Sequence, residues 1–297
     1  MTGRVFVAGA TGVLGRRVVP ALVAAGYDVT ANVRDATARS RVDEIGATPI
    51  TVDLFDRDAT TRLGDDHDAI VNVATAIPTG ASAARRSAWA MNDRLRSEAS
   101  ANLAAAVARR DGRYVCESIT FPYADAGDRW IDESQPRSYF WGNETCRGAE
   151  ASASLVTETG GTGVALRFAM FFADDSGHVE AIRAAARTGV FALPGRPVDR
   201  VSWIHVDDAA AAVVAALRAP AGTYNVAEPD PVPRLDHAAA LAGHVGRRRL
   251  RHLPGPVTRL AGPGVSSLAR AHRISSRAFT AATGWEPRRS VVDAWSA

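Results

Sequence analysis

Residues 4–15 read Arg4-Val5-Phe6-Val7-Ala8-Gly9-Ala10-Thr11-Gly12-Val13-Leu14-Gly15, and beyond them Val18, Val19, Leu22 and Val23 recur at helical spacing before Gly26. A β-branched run, a turn with three glycines and an amphipathic segment predict strand, glycine turn and helix in immediate succession. That arrangement lays a dinucleotide pyrophosphate on a helix N-terminus, where unpaired N–H groups and the helix dipole favour negative charge. One glycine makes the tight turn, one lets the backbone approach the phosphates, and one lets the helix pack on the strand. The candidate binding loop is therefore Gly9, Thr11, Gly12, Val13, Leu14 and Gly15. Three glycines alone carry little information; the strand before them and the helix after them supply the context the motif needs.

Outward from this loop, strand-like and helix-like segments alternate. Asp28–Val33, Thr48–Val52, Ala69–Val73, Tyr114–Glu117 and Val164–Arg167 read as strands, with an alanine-rich helix over Ala90–Arg109 and another over about Thr145–Thr159. Such alternation predicts an α/β fold, a doubly wound parallel sheet covered on both faces. Pro20 falls inside the first helix, where it removes one hydrogen bond. After Arg167 the rhythm loosens around proline and glycine clusters at 194–197, 229–233, 254–256 and 262–264. The expected division is a Rossmann domain over residues 1–167 and a smaller substrate lobe over 168–297, with 201–217 returning to the main sheet.

Composition narrows the function classes. The chain has 297 residues, 46% hydrophobic and 23% charged, with a formal charge of +3, all ordinary for a globular protein. No basic leader and no apolar run long enough for a bilayer are visible, so a membrane role is not expected. Two cysteines, Cys116 and Cys146, exclude a disulfide framework and point to a reducing, cytoplasmic setting. No metal-ligand spacing appears. The arginines at 247–249 and 251 read as a solvated face, without the interleaved aromatics of a nucleic-acid surface. All 35 basic residues are arginine, and that bears directly on chemistry.

Several spaced motifs then fall in order: Gly9–Gly15, Val52-Asp53-Leu54, Asn72-Val73-Ala74-Thr75, Leu166-Arg167-Phe168, Ser202–Ala209, Gly222–Val226 and Thr283–Pro287. Together they resemble the extended short-chain dehydrogenase/reductases, specifically the NAD-dependent epimerase/dehydratase family, nearly end to end. The resemblance implies that Asp53 and Leu54 meet the adenine and that Val73, Ala74 and Thr75 line the coenzyme. It also implies that His205, Asp207 and Asp208 are structural. Coenzyme choice is read from the second strand: an acidic residue roughly 20 positions past the loop takes a ribose hydroxyl, whereas an arginine accommodates the 2′-phosphate of NADP. This strand ends Asn32-Val33-Arg34, so NADP is expected through Arg34, with Arg16 assisting and with NAD as the alternative if Asp35 holds the ribose.

The family's Ser/Thr-Tyr-Lys triad cannot be complete in a chain without lysine. Matching Pro122-Tyr123-Ala124 to the family pattern places Ile119 at the Ser/Thr position, flanked by Ser118 and Thr120. Tyr139 with Asn143 is one reading of the Tyr element; counting back from Glu150 gives Gly142 and Cys146 instead. The helix pattern anchored on Asn102-Leu103 puts Arg96 where the family has Asn, with Asn92 one turn earlier. An unaided tyrosine has a pKa near ~10, so only about one molecule in a thousand is phenolate at neutral pH. Loss of the lysine therefore harms proton abstraction more than proton donation. The expected activity is NADPH-dependent reduction of a small organic carbonyl or activated alkene, with Tyr139 or Tyr123 donating and Thr120 or Ser118 polarising. A coenzyme-binding sensor without turnover and non-redox cyclase or lyase chemistry are the alternatives, and a homodimer is the open question of assembly.

Overall fold

The computed structural model describes residues 3–108, 112–253 and 262–296. Seven parallel strands form one sheet: β1 (Arg4–Ala8), β2 (Asp28–Asn32), β3 (Thr48–Ile50), β4 (Ala69–Asn72), β5 (Arg113–Ile119), β7 (Thr162–Phe168) and β11 (Gly222–Val226). Their spatial order is β11-β7-β5-β4-β1-β2-β3. The remaining strands, β6 (Trp130–Ile131), β8 (Met170–Phe172), β9 (Val190–Phe191), β10 (Trp203–His205), β12 (Arg251–His252) and β13 (Arg273–Ile274), pair two by two outside it. Strand order reverses between β1 and β4, which opens a crevice beyond their C-terminal ends.

Both faces of the sheet are buried because successive side chains point to opposite sides. Val5, Val7, Val71 and Val115 enter one core with Val18, Val19 and Leu22 of α1 (Gly15–Ala24) and Val213 of α8 (Val206–Ala216). Phe6, Ile70, Tyr114 and Cys116 enter the other with Leu63 of α3 (Arg57–Asp66), Leu103 and Val107 of α5 (Ser100–Ala108), and Val156 of α6 (Cys146–Glu158). Each such aliphatic side chain contributes about 1.5–3 kcal/mol when fully buried. That packing keeps α1 continuous across Pro20 despite the missing N–H.

The structure revises two expectations. The helix expected over Ala90–Arg109 is α4 (Ala90–Arg94), a π-helical turn over Leu95–Ala99, then α5, and Arg109 lies outside the described residues. The Ser100 hydroxyl donates to the Leu95 carbonyl, and the wide turn swings Arg96 inward, where it is 2% exposed. Residues 201–217 do not return a strand to the large sheet. β10 pairs with β8, α8 packs against α1, and β11 is the strand that joins β7. The sequence alternation cannot separate these cases, because a buried strand looks alike wherever it pairs. Of the proline and glycine clusters, 254–256 lies outside the described residues.

The lobe beyond β7 has its own core. Phe172, Trp203 and Trp295 meet edge to face, with centroids 4.8 Å (Phe172–Trp295) and 5.6 Å (Trp203–Trp295) apart. Arg234, fully buried, donates to the carbonyls of Asp199, Arg200, Leu268 and Arg270 and so rivets three segments together. Arg270 in turn donates to the carbonyls of Phe121, Tyr123 and Ser138, fastening the lobe to the loop after β5. The buried Glu228 carboxyl accepts from the backbone N–H groups of Trp203 and Val291 with no cation beside it, and burial pushes it up to about 8. A raised carboxyl pKa means the fold holds a proton that the unfolded chain releases, so stability falls as pH climbs from the usual carboxylate range through about 8. Glu228→Gln should therefore flatten the loss of melting temperature between about pH 5 and about pH 9; a slope equal to that of the unaltered protein would discard this assignment.

Candidate active site

The loop between β1 and α1 is shaped by two contacts. Gly9 has φ of +85°, and a Cβ there would lie 2.6 Å from the backbone of Val73 and Ala74. At Gly15 a Cβ would lie 2.0 Å from the Gly9 carbonyl oxygen, so the first turn of α1 rests directly on the loop. Gly12 differs: a Cβ would make only an ordinary 3.4 Å contact, and the residue faces solvent with Thr11. Leu14 caps α1 without any side-chain hydrogen bond, and in the first turn the Arg16 and Arg17 N–H groups donate to the Gly12 and Leu14 carbonyls. A cradle that two side chains would fill, an exposed third glycine and an uncapped helix N-terminus fit a dinucleotide pyrophosphate.

The neighbouring strand ends complete this side of the crevice. Arg34 follows β2 and is exposed, whereas the Asp35 carboxylate accepts from the Ala38 N–H and caps the next helix. Asp53 and Leu54 follow β3; Asp53 is exposed, its carboxylate accepting from the Phe55 N–H, and Leu54 is buried. Val73, Ala74 and Thr75 follow β4, positioned by Asn72, whose amide oxygen accepts from the Ala74 N–H. Arg16 points elsewhere: with Arg17 it pairs with Asp175, at 2.8 and 2.9 Å, tying α1 to the loop after β8.

Across the crevice, the C-terminal end of β5 carries the candidate chemistry. The Ser118 hydroxyl, fully buried, donates to Glu150 Oε1 at 2.7 Å. Thr120 is buried beside it, its N–H donating to the Phe168 carbonyl. The Tyr123 hydroxyl donates to Asn225 Oδ1 at 2.8 Å and accepts from Arg167 Nη1 at 2.7 Å; burial outweighs the guanidinium and pushes it up to about 12. Glu150 gathers Ser118, Arg137 and a bidentate Arg167, whose Nε and Nη2 each lie 2.8 Å from a carboxylate oxygen. Burial pushes the Glu150 carboxyl up, but these partners prevail and hold it below its ordinary value. Ser118, Tyr123 and Glu150 therefore form one network rather than a set of free groups.

Tyr139 stands apart. It precedes the turn 141–145 in an irregular segment, so Tyr139 and Asn143 do not share a helical face. Its hydroxyl is buried without a hydrogen-bond partner, the Arg137 and Arg147 guanidiniums lie 5.4 and 5.2 Å from its ring centroid, and burial raises its pKa. Trp89, Trp141 and Phe140 pack edge to face next to it, with centroids 6.1 and 5.6 Å apart. Cys146 opens α6, buried, its thiol pushed up to about 12 by burial. Sequence reading missed the ion pair beneath: Arg96 Nη2 lies 2.7 Å from both oxygens of Glu117, both residues buried. A glutamate inside an otherwise apolar strand was the available signal, because a buried charge requires a partner.

His205 and the two aspartates are structural here. His205 Nδ1 accepts from the Asp207 N–H and caps α8, while the Asp208 carboxylate accepts from the Arg288 and Arg289 N–H groups. Among the described residues no helix is long and apolar enough to cross a membrane.

A family model described as NAD(P)H-binding matches residues 9–220. A 3-diazoavenalumate denitrifying reductase from a Streptomyces species is 32% identical over 298 residues, 96% of each chain. An epimerase family protein of Mycobacterium bovis is 28% identical, covering 86% of this chain and 84% of its own. A human epimerase family protein solved with NADPH superposes with a TM-score of 0.77 over 99% of this chain and 98% of that one, at 22% identity. A UDP-N-acetylglucosamine 4-epimerase from Bacillus cereus gives 0.77 at 18% identity, over 99% and 97%.

Proposed function

Because the chain belongs to the NAD(P)H-binding family, in the epimerase/dehydratase class of the short-chain dehydrogenase/reductases, we propose that it is a reductase whose acceptor takes hydride without a proton from the protein, an arene diazonium ion above all. The observation that carries this reading is the missing proton relay. No lysine exists, and Ser118 and Tyr123 are committed to Glu150, Asn225 and Arg167. Residues Gly9 to Gly15, Arg34, Asp53, Leu54 and Val73 to Thr75 would hold the coenzyme, which supplies hydride when bound. Replacement of a diazonium group by hydrogen needs nothing else: the C–N bond breaks, its electron pair leaves with dinitrogen, and the positive charge is cancelled by the hydride. A carbonyl, by contrast, becomes an alkoxide that must be protonated. The denitrifying reductase named above supports the diazo class, and the aromatic wall of Trp89, Phe140 and Trp141 suits a flat, electron-poor arene.

One observation favours a second reading. The unpartnered Tyr139 hydroxyl, kept neutral by burial, keeps a proton to donate, and that is what reduction of a carbonyl or activated alkene requires. The two readings separate cleanly. NADPH consumption and dinitrogen release are measured with benzenediazonium carboxylates, above the rate of NADPH alone, beside an aldehyde and ketone panel. Protein-dependent diazonium reduction that persists in Tyr139→Phe is expected; turnover of carbonyls alone, lost in Tyr139→Phe, would establish the second reading. Tight coenzyme binding with no acceptor consumed would overturn both.

Coenzyme preference is tested separately. Hydrogen bonds to a charged group contribute about 1.5–3 kcal/mol, so Arg34→Ala should weaken NADPH binding about 10- to 100-fold and NADH by less than about twofold. Equal loss for the two coenzymes in a fluorescence titration would remove Arg34 from the 2′-phosphate.

A further inference from the structure

The wall of the crevice opposite the glycine loop leaves several buried donors unsatisfied. Asn92 and Arg96 lie one turn apart on α4 and the π turn, 0% and 2% exposed, and Asn143 in the facing turn is 3% exposed. Asn92 Nδ2, Arg96 Nε and Nη1, Asn143 Nδ2 and the Tyr139 hydroxyl are all buried without a partner. Four of these five atoms can only donate, and the fifth is a neutral phenol. They belong to two surfaces in contact. Thr145 donates to Asp93 across the gap, Trp141 packs on Trp89, and Gly148 abuts the Arg96 carbonyl. Asn92 also reaches the coenzyme side, its amide oxygen accepting from the Ala76 N–H. The acidic groups nearby are already engaged: Glu117 by Arg96 Nη2, and Asp93 by Thr145 and Arg86.

Buried donors without acceptors are costly, and a group of them on facing segments calls for an acceptor from outside the chain, a water, an ion or a ligand. We infer that the wedge between α4, the π turn and residues 139–146 is an anion subsite that takes the carboxylate of a flat aromatic substrate. Arg96 is its centre: Glu117 occupies one nitrogen and fixes the guanidinium plane, leaving Nε and Nη1 for the ligand. Asn92 and Asn143 supply amide donors from either side, and Tyr139 adds a hydroxyl. The aromatic residues Trp89, Phe140 and Trp141 adjoin the same turn, so ring and carboxylate would be bound together. This inference rests on the reductase reading for its substrate, but it is tested by binding alone.

The experiment titrates trans-cinnamate and its neutral isostere trans-cinnamamide into the full chain loaded with NADPH, read by tryptophan fluorescence and calorimetry. Cinnamate is expected to bind at least about tenfold tighter than the amide, since charge-assisted hydrogen bonds are roughly twice as strong as neutral ones. The double variant Arg96→Leu/Glu117→Leu removes both members of the buried pair without stranding a charge, and it should erase that preference. If the double variant does not fold, Asn143→Ala in the turn should still reduce the preference severalfold. Equal binding of acid and amide, or an undiminished preference in the folded variant, would overturn the subsite. A clear preference for cinnamate in a protein that reduces no diazonium salt would retain the subsite and dismiss the proposed reaction.

Discussion

Gly15→Ala is expected to weaken NADPH binding by about 100-fold or more, because the added methyl group must displace the first turn of α1 from the coenzyme loop. The methyl carbon would lie 2.0 Å from the Gly9 carbonyl oxygen and 2.8 Å from the Ala10 backbone, and no flexible side chain is available to yield. Gly12→Ala is the companion. There the same atom meets only Gly9 at 3.4 Å, so the fold should stay intact while the methyl group stands on the open face of the loop. The pair separates folding from recognition: the melting temperature of the apo-protein should fall for Gly15→Ala and hold for Gly12→Ala, with coenzyme affinity reduced in both. Undiminished NADPH binding by Gly12→Ala would mean that the pyrophosphate does not approach this loop.

A comparably large effect is expected from the carboxylate at the centre of the second network. Removing one member of a buried ion pair costs about 3–5 kcal/mol, whereas replacing both members by apolar groups is often near neutral. Arg167→Met leaves Glu150 buried, with Ser118 and the half-exposed Arg137 as its remaining partners, and it strips the Tyr123 hydroxyl of its donor. Its urea midpoint should fall by an amount equivalent to about 3 kcal/mol with an unchanged slope. Arg167→Met/Glu150→Leu should recover most of the loss. A single variant within about 1 kcal/mol of the unaltered protein would show the network to be marginal. The consequence would bear on the proposed function, because these bonds engage the Ser118 and Tyr123 hydroxyls.

The two sides of the crevice were not equally readable. Gly9, Gly12 and Gly15 act within one turn of chain, so their spacing carries their geometry, and the strand-end residues Arg34, Asp53 and Val73 follow from the alternation of strands and helices. The opposite wall depends on contacts between distant segments. Arg96 meets Glu117 across 21 positions, Tyr123 meets Asn225 across 102, and Arg270 reaches Phe121 across 149. Nothing local marks such pairs, and the free or committed state of a hydroxyl is a property of its neighbours.

By itself the sequence determined a parallel α/β sheet with a dinucleotide loop at its first turn, and it ruled out a complete lysine-assisted triad. These are matters of period, spacing and composition, which the chain carries locally. Only the tertiary structure decided that β10 pairs with β8 outside the large sheet, that the long helix is broken by a π turn, and that buried polar atoms of Asn92, Arg96, Tyr139 and Asn143 are left without partners. The reason is physical: burial and the pairing of polar groups are fixed when segments far apart in the chain compete for the same interior, and no single segment encodes the outcome.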